Sequence, residues 1–147
     1  MIKFTHFVRP TLALADLTAS SAVAENHTGF SQKALSELEF SPVGELPIEI
    51  AVLWGNPAEG ESAVMLKFPA NFPGGMHTHT HGYHGLVVKG ASKHWTADET
   101  EKDAELQRPG DYWYQAGRQV HQDSFPTDEE TILFLQFEGP LDTQFVE

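Results

Sequence analysis

Cysteine is absent from this 147-residue chain. That excludes a disulfide framework, a thiolate zinc site, an iron–sulfur cluster and a cysteine nucleophile. It leaves the redox compartment open, because a cysteine-free chain survives in either environment. Basic residues are scarce: nine Lys and Arg stand against 21 Asp and Glu, for a net charge of -12. A chain so acidic lacks the cations that displace counterions from phosphates, so no nucleic acid is expected as a partner. The same deficit argues against docking on an anionic membrane surface. Nor does any run approach the ~20 apolar residues of a membrane helix. Lys3, Arg9, the short run Leu12-Ala13-Leu14-Ala15 and Ala22-Val23-Ala24 sketch an export signal, but Pro10 and Asp16 interrupt its core. A cytoplasmic protein is therefore expected.

What is present suffices for a single core. Apolar residues make up 40% of the chain and aromatics 11%, with ten Phe. The length suits one domain of about 100–150 residues. Residues 1–40 differ from the rest, being rich in Ala, Ser and Thr to Thr28. Leu35 and Leu38, at i and i+3, then allow a helical turn or two, which Ser41-Pro42 must end. This segment reads as an irregular or short-helical N-terminal arm, and residues 41–147 as the domain.

From Glu45 onward short apolar or alternating runs are punctuated by Gly and Pro: residues 48–54, 63–68, 86–88, 93–96, 111–115 and 131–137. Without long helical periods, this predicts an all-β sandwich or barrel. The acidic segment 98–105 lacks the Gly and ligand spacing of a calcium loop and reads as a solvated hairpin connection.

Met76-His77-Thr78-His79-Thr80-His81-Gly82-Tyr83-His84 packs four imidazoles into eight residues. In a strand, positions i and i+2 face one way, so His77 and His79 share a space. Imidazole suits Zn, Fe, Ni and Cu, and a divalent ion gives two adjacent rings a reason to be there. His6, His27 and His94 are isolated and read as ordinary histidines. A metal site also needs a donor from a distant segment, and His121 follows a turn, a strand and another turn.

Together these two segments resemble the cupin superfamily. Pro73-x-Gly75-x-His77-x-His79, followed by His84 and by Leu86-Val87-Val88-Lys89-Gly90, is similar to its first motif. Pro109-Gly110-Asp111 with Ala116-Gly117 and His121 is similar to its second. Small single-domain members, the ChrR-like cupins and the acetylacetone-cleaving dioxygenases, resemble the chain most. The resemblance implies a double-stranded β-helix, or jelly-roll barrel, holding a metal inside.

The usual Glu ligand of the first motif is missing. His84 has the right spacing from His79, Tyr83 has the right distance to Gly90, and His81 shares the strand parity of His77 and His79. The expected ligands are His77, His79 and His121, with His84 fourth and His81 a competitor. Tyr83, Tyr112, Tyr114 and Arg118 are the candidate substrate contacts. One divalent ion per chain is expected: Fe(II) for catalysis, with Zn, Ni, Cu or Mn able to compete. An all-imidazole set is neutral and leaves the ion strongly Lewis acidic. The implied function is a metal-dependent oxygenase-type enzyme acting on a small carbonyl or β-dicarbonyl compound. The alternative is a metal- or ligand-binding sensor without turnover. A homodimer is expected, because the arm and the apolar edge strands need cover.

Overall fold

The computed structural model describes residues 28–146. The signal-like stretch, His6, His27 and most of the arm lie outside the described residues. The helix allowed near Leu35 is a single 3₁₀ turn, Leu35–Glu37, that buries no residue. Its start is capped by the Glu37 carboxylate, which accepts the Ala34 N–H at 2.7 Å. With no apolar face to bury, a longer helix gains nothing from packing.

Eleven strands follow among the described residues. They are β1 (Ser41–Pro42), β2 (Glu49–Gly55), β3 (Ser62–Phe68), β4 (His77–Thr78), β5 (Tyr83–Lys89) and β6 (Ser92–Thr96), then β7 (Leu106–Gln107), β8 (Tyr112–Gln115), β9 (His121–Ser124), β10 (Thr131–Phe137) and β11 (Gln144–Phe145). They form a six-stranded sheet in the order β1-β2-β3-β10-β5-β8 and a five-stranded sheet in the order β11-β4-β9-β6-β7. Every pairing is antiparallel. This is the jelly-roll arrangement expected from the sequence.

Alternation decides what each strand buries. Along β5, Tyr83, Gly85 and Val87 are buried, while His84 and Leu86 face the other way. Along β10, Leu133, Leu135 and Phe137 enter the core from the strand's central place between β3 and β5. Phe125, just past β9, stacks on Phe68 with ring centroids 3.9 Å apart. Gly85 must be glycine, because a Cβ there would run into the Trp113 ring across the β5–β8 pair.

One connection positions the site. The chain leaves β4 in the smaller sheet and enters β5 in the larger one after only residues 79–82. The histidine cluster thus spans two strands in different sheets, and side-chain parity is reset between them.

Phe125 is 1% exposed and wedged between Phe68 and Phe72. Phe125→Ala is expected to lower unfolding free energy by about 3–5 kcal/mol in urea denaturation. A loss below about 1 kcal/mol would show that this cluster is not tightly packed.

Candidate metal centre

His77 and His121 are paired directly across the β4–β9 ladder. His79 lies just beyond the end of β4, two residues from His77 and on the same side. The ring centroids of His77 and His121 are 4.2 Å apart, and those of His77 and His79 4.9 Å. One ligand nitrogen from each of His77, His79 and His121 lies within 4.8 Å of the other two. His121 is fully buried, His79 is 8% exposed and His77 is half-buried.

The Nδ1 atoms fix the chemistry of the three rings. That of His77 meets the Gly75 carbonyl at 2.6 Å, that of His121 meets the Gln119 carbonyl at 3.0 Å, and that of His79 meets the Asp142 carbonyl. A carbonyl only accepts, so each Nδ1 carries a proton and, in the neutral ring, each Nε2 holds the lone pair. Burial pushes His121, with His77 beside it, down to about 4, and burial also pushes His79 below its ordinary value. Both are therefore neutral at physiological pH. Across the site, His77 Nε2 faces Asp123 Oδ2 at 3.9 Å. Nitrogen donors with their lone pairs turned inward beside a carboxylate suit a divalent cation. The residues fit the ion that the fold leads one to expect.

A second layer supports the ligands. His94 Nδ1 meets Asp123 Oδ1 at 2.6 Å, and its Nε2 meets Gln115 Oε1 at 2.8 Å. The Gln115 amide nitrogen donates to Ala116 O and to Gln119 Oε1, which turns the Gln115 oxygen toward His94. With acceptors on both sides, His94 donates from both nitrogens and is a cation. Burial opposes that charge, but the bond to Asp123 and its charge outweigh burial and raise the imidazole. Burial likewise opposes the Asp123 anion, and the His94 bond and charge bring its carboxyl below the ordinary value. At the other side, the Asp142 carboxylate accepts the Thr80 N–H at 2.8 Å and the Thr80 hydroxyl at 2.7 Å. The Arg118 N–H holds the His79 carbonyl at 2.7 Å. The C-terminal segment therefore fastens the crossover that carries His79.

Not every candidate converges. His84 is turned to the outer face of β5, where its Nδ1 meets the Tyr112 hydroxyl at 2.7 Å. Its place as a fourth ligand does not fit this geometry, because parity restarts at Tyr83 and sends the next residue outward. His81 packs its ring against Gly139 and stands apart from the three. Tyr112 and Tyr114 are 59% and 49% exposed on that same outer face. Arg118 is an exposed turn residue with φ 64°. Of the four candidate substrate contacts only Tyr83 lines the interior cavity of about 240 Å³. That cavity is walled mainly by apolar side chains such as Ile50, Phe68 and Leu135. Its polar end carries His77, His79, Asp123 and Tyr83.

Asp123, His94 and Asp142 are the participants that sequence reasoning missed. Asp123 sits two residues from His121 on one strand, a parity signal that was available. The His94–Asp123 pairing depends on the β6–β9 register and was not.

Residues 31–142 match the family described as the ChrR Cupin-like domain. The chain belongs to that family. No curated protein matches this cupin-like chain in sequence. Among solved structures it is similar to KdgF from Halomonas sp., at 22% identity and TM-score 0.58 over 75% of this chain and 94% of that one. It is similar to an RmlC-like cupin from Shewanella frigidimarina, at 18% identity and TM-score 0.58 over 77% and 93%. It is also similar to the polyketide cyclase RemF from Streptomyces resistomycificus, at 14% identity and TM-score 0.61 over 81% and 87%. At these identities the likeness establishes the cupin fold.

The lowered histidines make the metal-free protein acid-sensitive. Their contribution to stability is full above the ordinary value of 6.5 and is lost as pH falls through it toward about 4. Raised His94 works in the opposite sense, losing its contribution as pH climbs through its folded value. The two lowered carboxylates act below their ordinary 3.8. Urea midpoints of metal-free protein are expected to fall from pH 6.5 to 4, and His121→Gln is expected to flatten that fall. A wild-type profile already flat over this window would contradict the buried neutral tautomers.

Proposed function

We propose that this cupin is a metal-dependent, oxygenase-type enzyme acting on a small carbonyl or β-dicarbonyl compound. The observation that carries the reading is a cluster of three imidazoles whose Nδ1 atoms face backbone carbonyls, two of which, His77 and His79, stand on the wall of a small, mainly apolar cavity. His77, His79 and His121 would hold one divalent ion per chain, with Fe(II) the catalytic choice and Zn, Ni, Cu or Mn competing. When bound, such an ion supplies Lewis acidity toward a carbonyl oxygen and, as iron, the electrons that dioxygen chemistry requires. The chain's own residues do the rest. The apolar wall takes the hydrocarbon part of a substrate and excludes water. Asp123 places an acceptor oxygen at the metal end, and Tyr83 places a hydroxyl there. A cavity of about 240 Å³ limits the substrate to a small molecule.

The same proposal includes a cytoplasmic homodimer, and apolar side chains left on the arm, Phe30 at 91% exposure and Leu35 at 39%, support the need for a covering partner.

Protein purified without a His tag and reconstituted anaerobically with Fe(II) is expected to hold one ion per chain. It should then consume O2 when a β-diketone such as acetylacetone is added. His77→Ala, His79→Ala and His121→Ala are each expected to weaken metal binding by more than the roughly 10–100-fold that loss of an outer-shell partner costs. His84→Ala should leave affinity unchanged. Tight one-to-one metal with no substrate-dependent uptake across a panel of carbonyl compounds would favour the sensor reading. Failure to bind a metal would overturn both.

A further inference from the structure

The Tyr83 hydroxyl lies 3.2 Å from His121 Nε2. His121 Nδ1 is committed to the Gln119 carbonyl, so Nε2 is the acceptor and the phenol O–H is the donor. That proton sits on the same lone pair a metal ion would need. Nε2 has one lone pair in the ring plane and cannot serve both.

Tyr83 is 3% exposed, and its hydroxyl proton has no acceptor other than His121 Nε2 among the described residues, the nearby Trp113 indole N–H being a donor only. Water on the protein's surface cannot take over the bond, and a buried hydroxyl without an acceptor is costly. The ring is fixed by its contacts with Phe137 and His79, at centroid distances of 5.3 Å each. Only rotation about the phenol C–O bond remains easy, and Tyr83 is on the cavity wall. The Trp113 indole N–H, on the same wall and beside the Tyr83 hydroxyl, is buried without a well-formed hydrogen bond.

We propose that Tyr83 is a metal-gated hydrogen-bond donor to the bound ligand: an ion that takes His121 Nε2 releases the phenol proton, which then turns to an oxygen atom of a small molecule in the cavity. This deepens, and rests on, the metal-site reading above. It also narrows the ligand class. The end of the ligand nearest the metal must keep an oxygen lone pair free for Tyr83, as a ketone, an enolate or a carboxylate does, with an apolar remainder against the wall. A nitrogen heterocycle that spends its lone pair on the metal offers Tyr83 nothing.

The test uses Co(II)-loaded full-length protein, wild type and Tyr83→Phe, followed by visible absorption. Calorimetry of Co(II) binding to the metal-free protein comes first. The variant is expected to bind Co(II) as tightly as wild type or more tightly, since the competitor for His121 is gone. Acetylacetone should then bind the variant about tenfold more weakly, the loss of roughly one hydrogen bond. Imidazole binding should differ by less than about twofold, because it offers no acceptor.

A merely structural tyrosine would weaken Co(II), acetylacetone and imidazole together, and that outcome overturns the proposal. So does unchanged acetylacetone affinity in a variant whose wild-type parent binds the probe. If wild type binds no Co(II), the metal reading itself falls, which separates the two failures. Should Tyr83→Phe fail to fold, 3-fluorotyrosine placed at position 83 is a stronger donor of the same shape. It should tighten acetylacetone binding while leaving imidazole binding unchanged, and no tightening would overturn the proposal.

Discussion

A backbone carbonyl opposite each Nδ1 is the constraint on which the site depends. An imidazole has two tautomers, and a free ring offers either nitrogen to a metal. Here Gly75, Gln119 and Asp142 each remove that freedom by accepting the Nδ1 proton. Three Nε2 lone pairs are thereby turned to one volume before any ion arrives. Such fixing of ring orientation from outside the ligand shell is what gives a metal site its affinity as well as its geometry. Burial reinforces it, because desolvation keeps His79 and His121 neutral where a surface histidine would be partly protonated.

The fold exists in the form that supplies those carbonyls. Gly75 precedes β4 and Gln119 precedes β9, each two residues ahead of the ligand it orients, so these two contacts are local. The third is not. Asp142 comes from the end of the chain, where β11 pairs with β4 and Val146 donates to Met76 O at 2.9 Å. The same aspartate ties Thr80 through its carboxylate, so backbone and side chain of one residue hold both His79 and the crossover that follows it. A site that opens into an apolar cavity between two sheets is thus closed at one side by β11 and the segment leading into it.

Much of this was legible in the sequence. Gly and Pro punctuation between short apolar runs announced an all-β domain, and β2, β3 and β10 lie close to where those runs stood. Strand parity put His77 and His79 together, with His81 left as a competitor, and the resemblance to the cupin motifs added His121. The motif spacing that offered His84 failed for a definable reason: the chain changes sheets between His79 and Tyr83, and it is Tyr83 that β5 turns inward. Tyr112 and Tyr114 went outward with His84 because β8 pairs with β5 in register, His84 opposite Tyr114. The His94–Asp123 pair and the grip of Asp142 on His79 were out of reach, since they join segments 29 and 63 residues apart through registers that no local pattern encodes.

The most direct measurement of the central claim is X-ray absorption at the metal edge of protein loaded with one equivalent of Zn or Fe(II). Fits should require three imidazole shells with nitrogen at ~2.0–2.1 Å for zinc, and His121→Gln should remove one of them. A first shell made of oxygen alone, or a spectrum that changes with His84→Ala and not with His121→Gln, would contradict it.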